Sequence, residues 1–524
     1  MPSPVSSVTQ LERPFGTLAA LIHAHAVERP GHPALLQDAR TLDYAALDAA
    51  MDRVAVALQR EGLDRGATIA LCAAPSLEYA VVFLGALRAG VAVAPLAPSA
   101  TATSLAAMVR DAGARLLFAD AEAVAALAPV HSSLTAPMIA LERSDAGTGF
   151  ADWLAPAGTG PRLVEIEPDD PFNIIYSSGT TGTPKGIVQA HAMRWVHVQR
   201  ALPYEYGPRS ITLLATPLYS NTTLVSFVPS LAYGGTVVLM RKFDVTGYLE
   251  LAQRHRVTHT MLVPVQYQRL LAAPAFANYD LSAFRMKLCT SAPFAAALKA
   301  DILARWPGGL VEVYGMTEGG GATMLAAHQF PHKLHTVGRP APGHDIRLID
   351  EAGGETGPGE AGEIVGHSPA MMSGYHNRPD LTAQAEWFDA DGRRFIRTGD
   401  IGRFDADGFL VLLDRKKDMI ISGGFNIYPS DLESVLRGHP AVVEAAVVGV
   451  PSQRWGETPV AFVVTRAGQP TTAAELLAWA NERVGKTQRL ACVELAPALP
   501  RSAIGKVLKR ELREDFVARS GPVA

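Results

Sequence analysis

Cysteine is scarce in this 524-residue chain: Cys72, Cys289 and Cys492 are far apart and odd in number. They allow no disulfide framework and no Cys-x-x-Cys redox or metal pair, which fits a reducing cytoplasm. Neither sign of charge dominates. With 47 Lys+Arg against 51 Asp+Glu the net charge is −4, and no basic face or stripe marks a nucleic-acid backbone as a partner. Long apolar runs are missing too. Stretches such as 80–87 fall far short of the ~18 residues that span a bilayer. The opening MPSPVSSVTQLERPFG has no apolar core of a signal peptide, and no short-period repeat is present. These absences predict a cytoplasmic globular protein without integral membrane association.

What is present is an ordinary globular balance, 48% apolar and 19% charged, in a chain too long for one core. Short continuous apolar runs at 68–73, 115–119, 173–176, 211–215, 236–240, 259–263 and 287–290 read as buried strands. Segments with helical spacing lie between several of them, at 77–88, 104–111, 248–255 and 295–306. Strand and helix in alternation predict an α/β fold of mostly parallel sheets covered by helices. The texture changes near Asp400. Asp405-Ala406-Asp407-Gly408 reads as a hairpin turn, followed by a strand at 410–413, a charged DRKKD and a Gly-Gly pair. A helix at 429–436, strands at 442–450 and 460–464, and a helix at 473–484 then predict a compact α+β unit. The expected division is a large N-terminal domain, 1–413, and a small C-terminal domain, 414–524, with charge and glycine marking the linker.

The strongest local signal is YSSGTTGTPKG at 176–186, directly after a predicted strand. Its glycines let backbone N–H groups approach phosphate oxygens, its hydroxyls donate further bonds, and Lys185 adds a compact positive charge. It is not a Walker A loop, because Pro184 precedes the lysine and no Ser/Thr follows it. The loop resembles the signature of the class I adenylate-forming enzymes: acyl-CoA synthetases, adenylation domains of peptide synthetases, and luciferases. The other motifs of that superfamily follow in order. They are Ser291-Ala292-Pro293, Tyr314-Gly315-Met316-Thr317-Glu318, Arg397-Thr398-Gly399-Asp400, Asp414-Arg415-Lys416-Lys417-Asp418 with Gly423-Gly424, and Pro500-Arg501-Ser502-Ala503-Ile504-Gly505-Lys506.

The resemblance implies ATP, Mg²⁺ and coenzyme A as reactants, and a mobile C-terminal domain. It implies phosphate contacts from Ser177, Ser178, Gly179, Thr180, Thr181, Gly182, Thr183, Lys185 and Thr317, and Mg²⁺ held by Glu318. A hard cation suits that carboxylate. Tyr314, Gly315 and Met316 would form the adenine side with the Ser291, Ala292 and Pro293 backbone, Tyr314 stacking on the base. Asp400 would accept from both ribose hydroxyls, since a carboxylate accepts without donating, with Arg415 as a second ribose contact. Lys417 matches the hinge, and Gly423 and Gly424 the thiol tunnel. The acid pocket would be lined by His191, Trp195, Tyr219, Asn221, Gly319 and Gly320, the glycines leaving room for an extended or planar acyl group.

Many acyl-CoA synthetases carry histidine where Ser220 stands in PLYSN, which removes any gate built on that histidine. No acidic residue occurs from Leu214 to Val238. An amino-acid substrate is therefore disfavoured, because its buried ammonium would go unpaired. A fatty or aromatic carboxylate is expected, with coenzyme A or the phosphopantetheine of a carrier protein as acceptor. A luciferase-like oxidase and a silent nucleotide-binding protein are the competing classes; the latter would normally have lost Glu318, Asp400 or Lys506, and all three are present. Other signals are decoys. Gly357-Pro358-Gly359-Glu360-Ala361-Gly362 opens no helix, Pro331 breaks any common face of His328, His332 and His335, and Gly366-His367-Ser368-Pro369-Ala370 lacks the final glycine of a nucleophile elbow.

Lys506 would stand between two anions, the acid's carboxylate and the α-phosphate it attacks, and stabilise charge developing there. Lys506→Ala is expected to slow adenylation by about 10²-fold or more while slowing thioester formation from preformed acyl-AMP much less. Single-turnover assays of the two half-reactions check this; equal losses would remove Lys506 from the role.

Overall fold

The computed structural model describes residues 6–142, 147–177, 185–415, 418–422, 425–452, 454–485, 488–502, 505–521 and 523. The chain packs as two units. One comprises 1–334, 340–345 and 366–396, the other 335–339, 346–365 and 397–524.

The first unit is built on two mainly parallel sheets. In one, Pro33–Gln37, Thr236–Leu239, Ile211–Leu214, His259–Leu262, Met286–Cys289 and Gly309–Gly315 run parallel in that spatial order. Antiparallel Arg40–Asp43 and Ala322–Ala326 flank them. In the other, Pro171–Ser177, Ala92–Leu96, Thr68–Cys72, Leu117–Ala119, Met138–Ala140 and Thr148–Gly149 run parallel. Lys185–Ala190 and Gly374–Tyr375 close that sheet antiparallel. The continuous apolar runs are these central strands: Thr68–Cys72 and Ala92–Leu96 are buried at every residue, as strands covered on both faces must be.

Helices begin where their caps are, not where apolar periodicity becomes visible. The helix expected from 104 starts as Ala102–Asp111, because Thr101 accepts the Ser104 N–H. The one expected from 248 starts as Val245–Arg254, with Asp244 accepting from Gly247. Each cap satisfies an N–H of the first turn that has no partner inside the helix.

In the first sheet the chain goes from Ile211–Leu214 to its neighbour Thr236–Leu239, then crosses back to His259–Leu262 on the other side. The loop after Ile211–Leu214 therefore sits at a switch point, where the crevice of a doubly wound sheet opens beyond the carboxyl ends of its strands. That loop contains Pro217 to Asn221.

The second unit holds an α+β sheet of Phe425–Ile427, Ile420–Ser422, Gly456–Thr465 and Val442–Ser452, with Cys492–Leu495 also paired to Gly456–Thr465. Alternate residues face opposite sides. Val447, Ala461 and Val463 pack under Leu432, Leu436, Leu476 and Ala480 of the helices Pro429–Arg437 and Ala473–Arg483. Ala446, Val448 and Phe462 pack under Leu512 and Phe516 of Lys509–Ser520. The expected hairpin at 405–408 is present, with Phe404 paired to Leu410.

One buried ion pair holds a helix onto a strand that leads to the site. Lys299, on Ala296–Arg305, pairs with Glu312, on Gly309–Gly315. Lys299 also donates to the Leu334 carbonyl at 2.8 Å. Burial pushes the Glu312 carboxyl up to about 7, against the pull of Lys299. Its contribution to stability is thus complete in acid and lost as pH rises toward that value. Lys299→Met is expected to lower stability by about 3–5 kcal/mol, because a buried carboxyl loses its partner. The loss should grow from pH 6 to pH 9, since the orphaned carboxyl must either ionise or hold its proton against an increasingly basic solvent. Urea unfolding at the two pH values measures this, with Lys299→Met/Glu312→Leu expected to recover most of the loss.

Candidate active site

The motif residues of the first unit emerge where its strands end. Ser291 to Pro293 follow Met286–Cys289, Tyr314 to Glu318 end Gly309–Gly315, and His191 follows Lys185–Ala190. Two polar contacts draw these ends together. Gln189, fully buried, donates from Nε2 to the Thr317 carbonyl at 2.6 Å and, more weakly, to Asn221 Oδ1 at 3.4 Å. Its Oε1 accepts from Asn173 Nδ2 at 2.9 Å and from Arg194. Thr222 and Ser291 share a hydroxyl contact of 2.5 Å. Ser291 sits at φ 82°, a left-handed conformation that side chains rarely adopt, and such strain persists only where surrounding contacts enforce it.

Lys185 lies 5.3 Å from the ring centre of Tyr375. The hydroxyl of the same tyrosine donates to Glu318 Oε1 at 2.8 Å. Burial, with the adjacent Glu318 carboxylate, pushes the Tyr375 phenol far up, so its proton stays available to that carboxylate. A cation suited to phosphate and a carboxylate suited to a metal ion are thereby set against one phenol.

The glycines after Glu318 serve packing rather than space. Gly319 has φ 74°, and a Cβ there would stand 1.8 Å from the Ala370 carbonyl oxygen. One on Gly320 would meet Ile396 at 2.4 Å. The Gly319 carbonyl also accepts from Ser368 Oγ at 2.8 Å. At these two positions the absence of a side chain lets the loop lie flat against Ala370 and Ile396. His191 and Trp195 lie in the core. The His191 ring packs edge-on against Phe172 at 5.1 Å, and burial brings its pKa down to about 4. The Trp195 indole covers Gly16 and Phe15 and donates to the Arg13 carbonyl at 3.2 Å. Tyr219 is half-buried with its hydroxyl bonded to Ser99. Asn221 is joined to the site through Gln189.

In the second unit, Asp400 and Arg415 are paired directly across antiparallel strands. The Asp400 N–H donates to Thr398 Oγ1 at 3.0 Å, and Gly399 takes φ 69°. Lys506 is exposed, in a turn where its N–H donates to Ser502 Oγ at 3.2 Å and its carbonyl accepts from the Ser502 N–H at 2.8 Å. Arg501 braces that turn, donating to the Gly505 carbonyl at 2.6 Å and pairing with Glu444 at 2.7 Å. Ser178, Gly179, Thr180, Thr181, Gly182, Thr183, Lys417, Gly423 and Gly424 lie outside the described residues, as do the side chains of Ser177 and Arg415.

Sequence reasoning missed Gln189, Asn173, Arg194 and Tyr375. The first two had a usable signal: an amide inside each of two apolar strands, where a polar group needs a buried partner. Tyr375 had none beyond its glycine neighbour.

The family model described as AMP-binding enzyme matches residues 22–376, and the AMP-binding enzyme C-terminal domain matches 431–506. The chain is 33% identical over 510 residues to the fatty acid–[acyl-carrier-protein] ligase ScoC of Streptomyces coeruleorubidus, covering 95% of this chain and 96% of the relative. It is 35% identical over 502 residues to feruloyl-CoA synthase of an Amycolatopsis species, covering 94% and 96%. The solved structure of ATP-bound MatB from Rhodopseudomonas palustris superposes with a TM-score of 0.86 at 30% identity, covering 96% of this chain and 99% of that one.

The Gly319 contact has a measurable consequence. Gly319→Ala adds both left-handed strain and collision with a carbonyl. Gly343→Ala adds the strain alone, since Gly343 has φ 76° and nothing within 4 Å of a Cβ. The first is expected to lose about 3 kcal/mol or more and the second about 1 kcal/mol, compared by denaturant unfolding.

Proposed function

The chain belongs to the AMP-binding enzyme family, and we propose that it is an ATP-dependent acid–CoA ligase acting on a fatty or aromatic carboxylic acid. An oxygen of the acid's carboxylate attacks the α-phosphorus of ATP, the bond to the β-phosphate oxygen breaks, and pyrophosphate leaves. The sulfur of coenzyme A then attacks the acyl carbon, and AMP leaves. Feruloyl-CoA synthase at 35% identity supports coenzyme A as acceptor. ScoC at 33% supports the second reading, in which a carrier protein's phosphopantetheine takes the acyl group.

The observation that carries this reading is the Lys185–Tyr375–Glu318 arrangement, cation and carboxylate against one phenol. Lys185 neutralises phosphate oxygens, and Tyr375 orients the Glu318 carboxylate by donating to one of its oxygens. The donor set fits Mg²⁺. Among the described residues no group of three or more His, Cys, Asp or Glu is assembled for a metal, which suits an ion held by one carboxylate together with substrate phosphates. Bound there, Mg²⁺ would supply neutralising charge to the phosphates. Thr317 contacts phosphate, Tyr314 and the Ser291–Ala292–Pro293 backbone border adenine, and Asp400 with Arg415 holds ribose. We read 414–524 as the mobile domain that brings Lys506 to the reacting carboxylate, with Lys417 as hinge and Gly423 and Gly424 along the thiol path.

The cytoplasm is the proposed site of action. The three cysteines are free, and among the described residues no helix is long and apolar enough to cross a membrane.

Pyrophosphate release from ATP and Mg²⁺ against a panel of fatty, aryl and amino acids, with and without coenzyme A, tests the function. Release with fatty or aryl acids, rising with coenzyme A, is the expected result. Release indifferent to coenzyme A supports the carrier reading, and none with any acid overturns both. Tyr375→Phe, which deletes only the donor to Glu318, is expected to lower kcat/KM for ATP about tenfold or more. The apparent Mg²⁺ requirement should rise with little change in thermal midpoint; an unaltered Mg²⁺ titration would show that Glu318 does not depend on it.

A further inference from the structure

The helix His191–Arg200 ends in basic groups that the reaction above does not use. Arg200 Nη1 lies 2.6 Å from His344 Nε2. The other nitrogen of that ring, Nδ1, accepts the Ala322 N–H at 2.8 Å. A neutral imidazole offers one donor and one acceptor, and a guanidinium offers donors only. With Nδ1 accepting, Nε2 carries the proton and faces an arginine N–H, donor against donor. The other tautomer moves the same conflict to Ala322. Protonating the ring makes it worse, and burial with the charge of Arg200 already holds His344 down at about 4.

Nothing nearby relieves the conflict. Arg200 Nε is buried without a hydrogen-bond partner, and among the described residues no carboxylate pairs with Arg200. One turn back, Arg194 Nη1 lies 3.3 Å from His197 Nδ1. Arg194 is 2% exposed, and its other bonds go to the neutral amides of Asn173 and Gln189. Two guanidiniums and two neutral imidazoles are thus gathered with no acid among them. An acceptor oxygen bearing negative charge would receive the N–H groups of both Arg200 and His344 and supply the absent counter-charge.

The location joins this cluster to the acid end of the site. Ala322, which holds His344, follows directly on Gly319, Gly320 and Gly321. Met193, on the same helix as Arg200, reaches Gly319, with its Cε 2.8 Å from a Cβ built there. Seven residues, about 10 Å of helix, separate Met193 from Arg200. Beside Arg200, Tyr204, Tyr206, Val225 and Met324 pack as an apolar group.

We propose that Arg200 and His344 receive a second, anionic oxygen group at the far end of the acid substrate, so that the preferred acids carry a distal carboxylate or phenolate. This rests on the acid–CoA ligase reading and narrows its substrate class.

Matched acids test it: octanoate against octanedioate, and cinnamate against 4-carboxycinnamate and 4-hydroxycinnamate, with pyrophosphate release as readout. The wild type is expected to favour the distal-anion member about tenfold or more in kcat/KM, because a site built to bond an oxygen rejects the analogue lacking it. The two aryl arms separate a carboxylate, ionised at neutral pH, from a phenol that becomes an anion only if the site itself ionises it. Arg200→Met should lower kcat/KM for the distal-anion acids about tenfold more than for their plain partners. His344→Gln should retain part of the preference, since its amide can accept from Ala322 and still donate. No preference in the wild type, or equal losses in Arg200→Met for both members of a pair, overturns the proposal. Calorimetric binding of octanedioate without ATP separates the two levels. If no acid releases pyrophosphate but octanedioate binds in an Arg200-dependent way, the ligase reading fails and the anion site stands. If neither is seen, both fail.

Discussion

One side chain, Gln189, sets the geometry on which the candidate site depends. It sits on Lys185–Ala190 in one sheet and bonds the Thr317 carbonyl at the end of a strand in the other. Two sheets joined through apolar packing can slide on one another, because hydrophobic burial has no direction. A buried amide cannot slide without leaving donors and acceptors unpaired, and each of those costs about 1–3 kcal/mol. The bonds to Asn173, Arg194 and Asn221 turn this one amide into a junction of three chain segments. The register between the strand Lys185–Ala190 and the Thr317–Glu318 turn is therefore held by polar contacts inside an apolar surround.

The same junction explains the chemistry around it. Glu318 is adjacent to the residue Gln189 holds, and Tyr375 pairs with Lys185–Ala190 through its own short strand. Lys185, Tyr375 and Glu318 are thus carried on segments that the junction and the sheet already align. Arg194 is fully buried beneath it, and burial lowers its pKa only to about 9, so a positive charge persists at neutral pH within the first unit.

The fold class was legible in the sequence because parallel strands buried on both faces must be continuous apolar runs. Each expected strand from 68 to 290 is present, displaced at its ends by a residue or two. Helix starts were less legible, because Thr101 and Asp244 cap through side-chain oxygens, a polar signal that hydrophobic spacing does not register. The motifs located the strand ends that carry Ser291, Thr317 and Glu318, since glycine, hydroxyl and carboxylate in fixed order report local chemistry. The tertiary contacts that decide orientation were hidden. Nothing in the spacing of Trp195 shows that Gly16 will lie on its indole, and nothing in the run of glycines after Glu318 shows that Ala370 and Ile396 will fill the space beside them.

That filled space has a meaning for how this scaffold can change. At Gly319 and Gly320 the loop has no volume to give, so no side chain can be introduced there without moving Ala370 or Ile396. The neighbouring helices are constrained as well, since Arg194 on His191–Arg200 and Asn221 on Asn221–Ala232 are bonded to Gln189 and through it to the Thr317 carbonyl. At Gly319 the course of the loop is thereby fixed by close approach of main chain to main chain, at the Ala370 carbonyl.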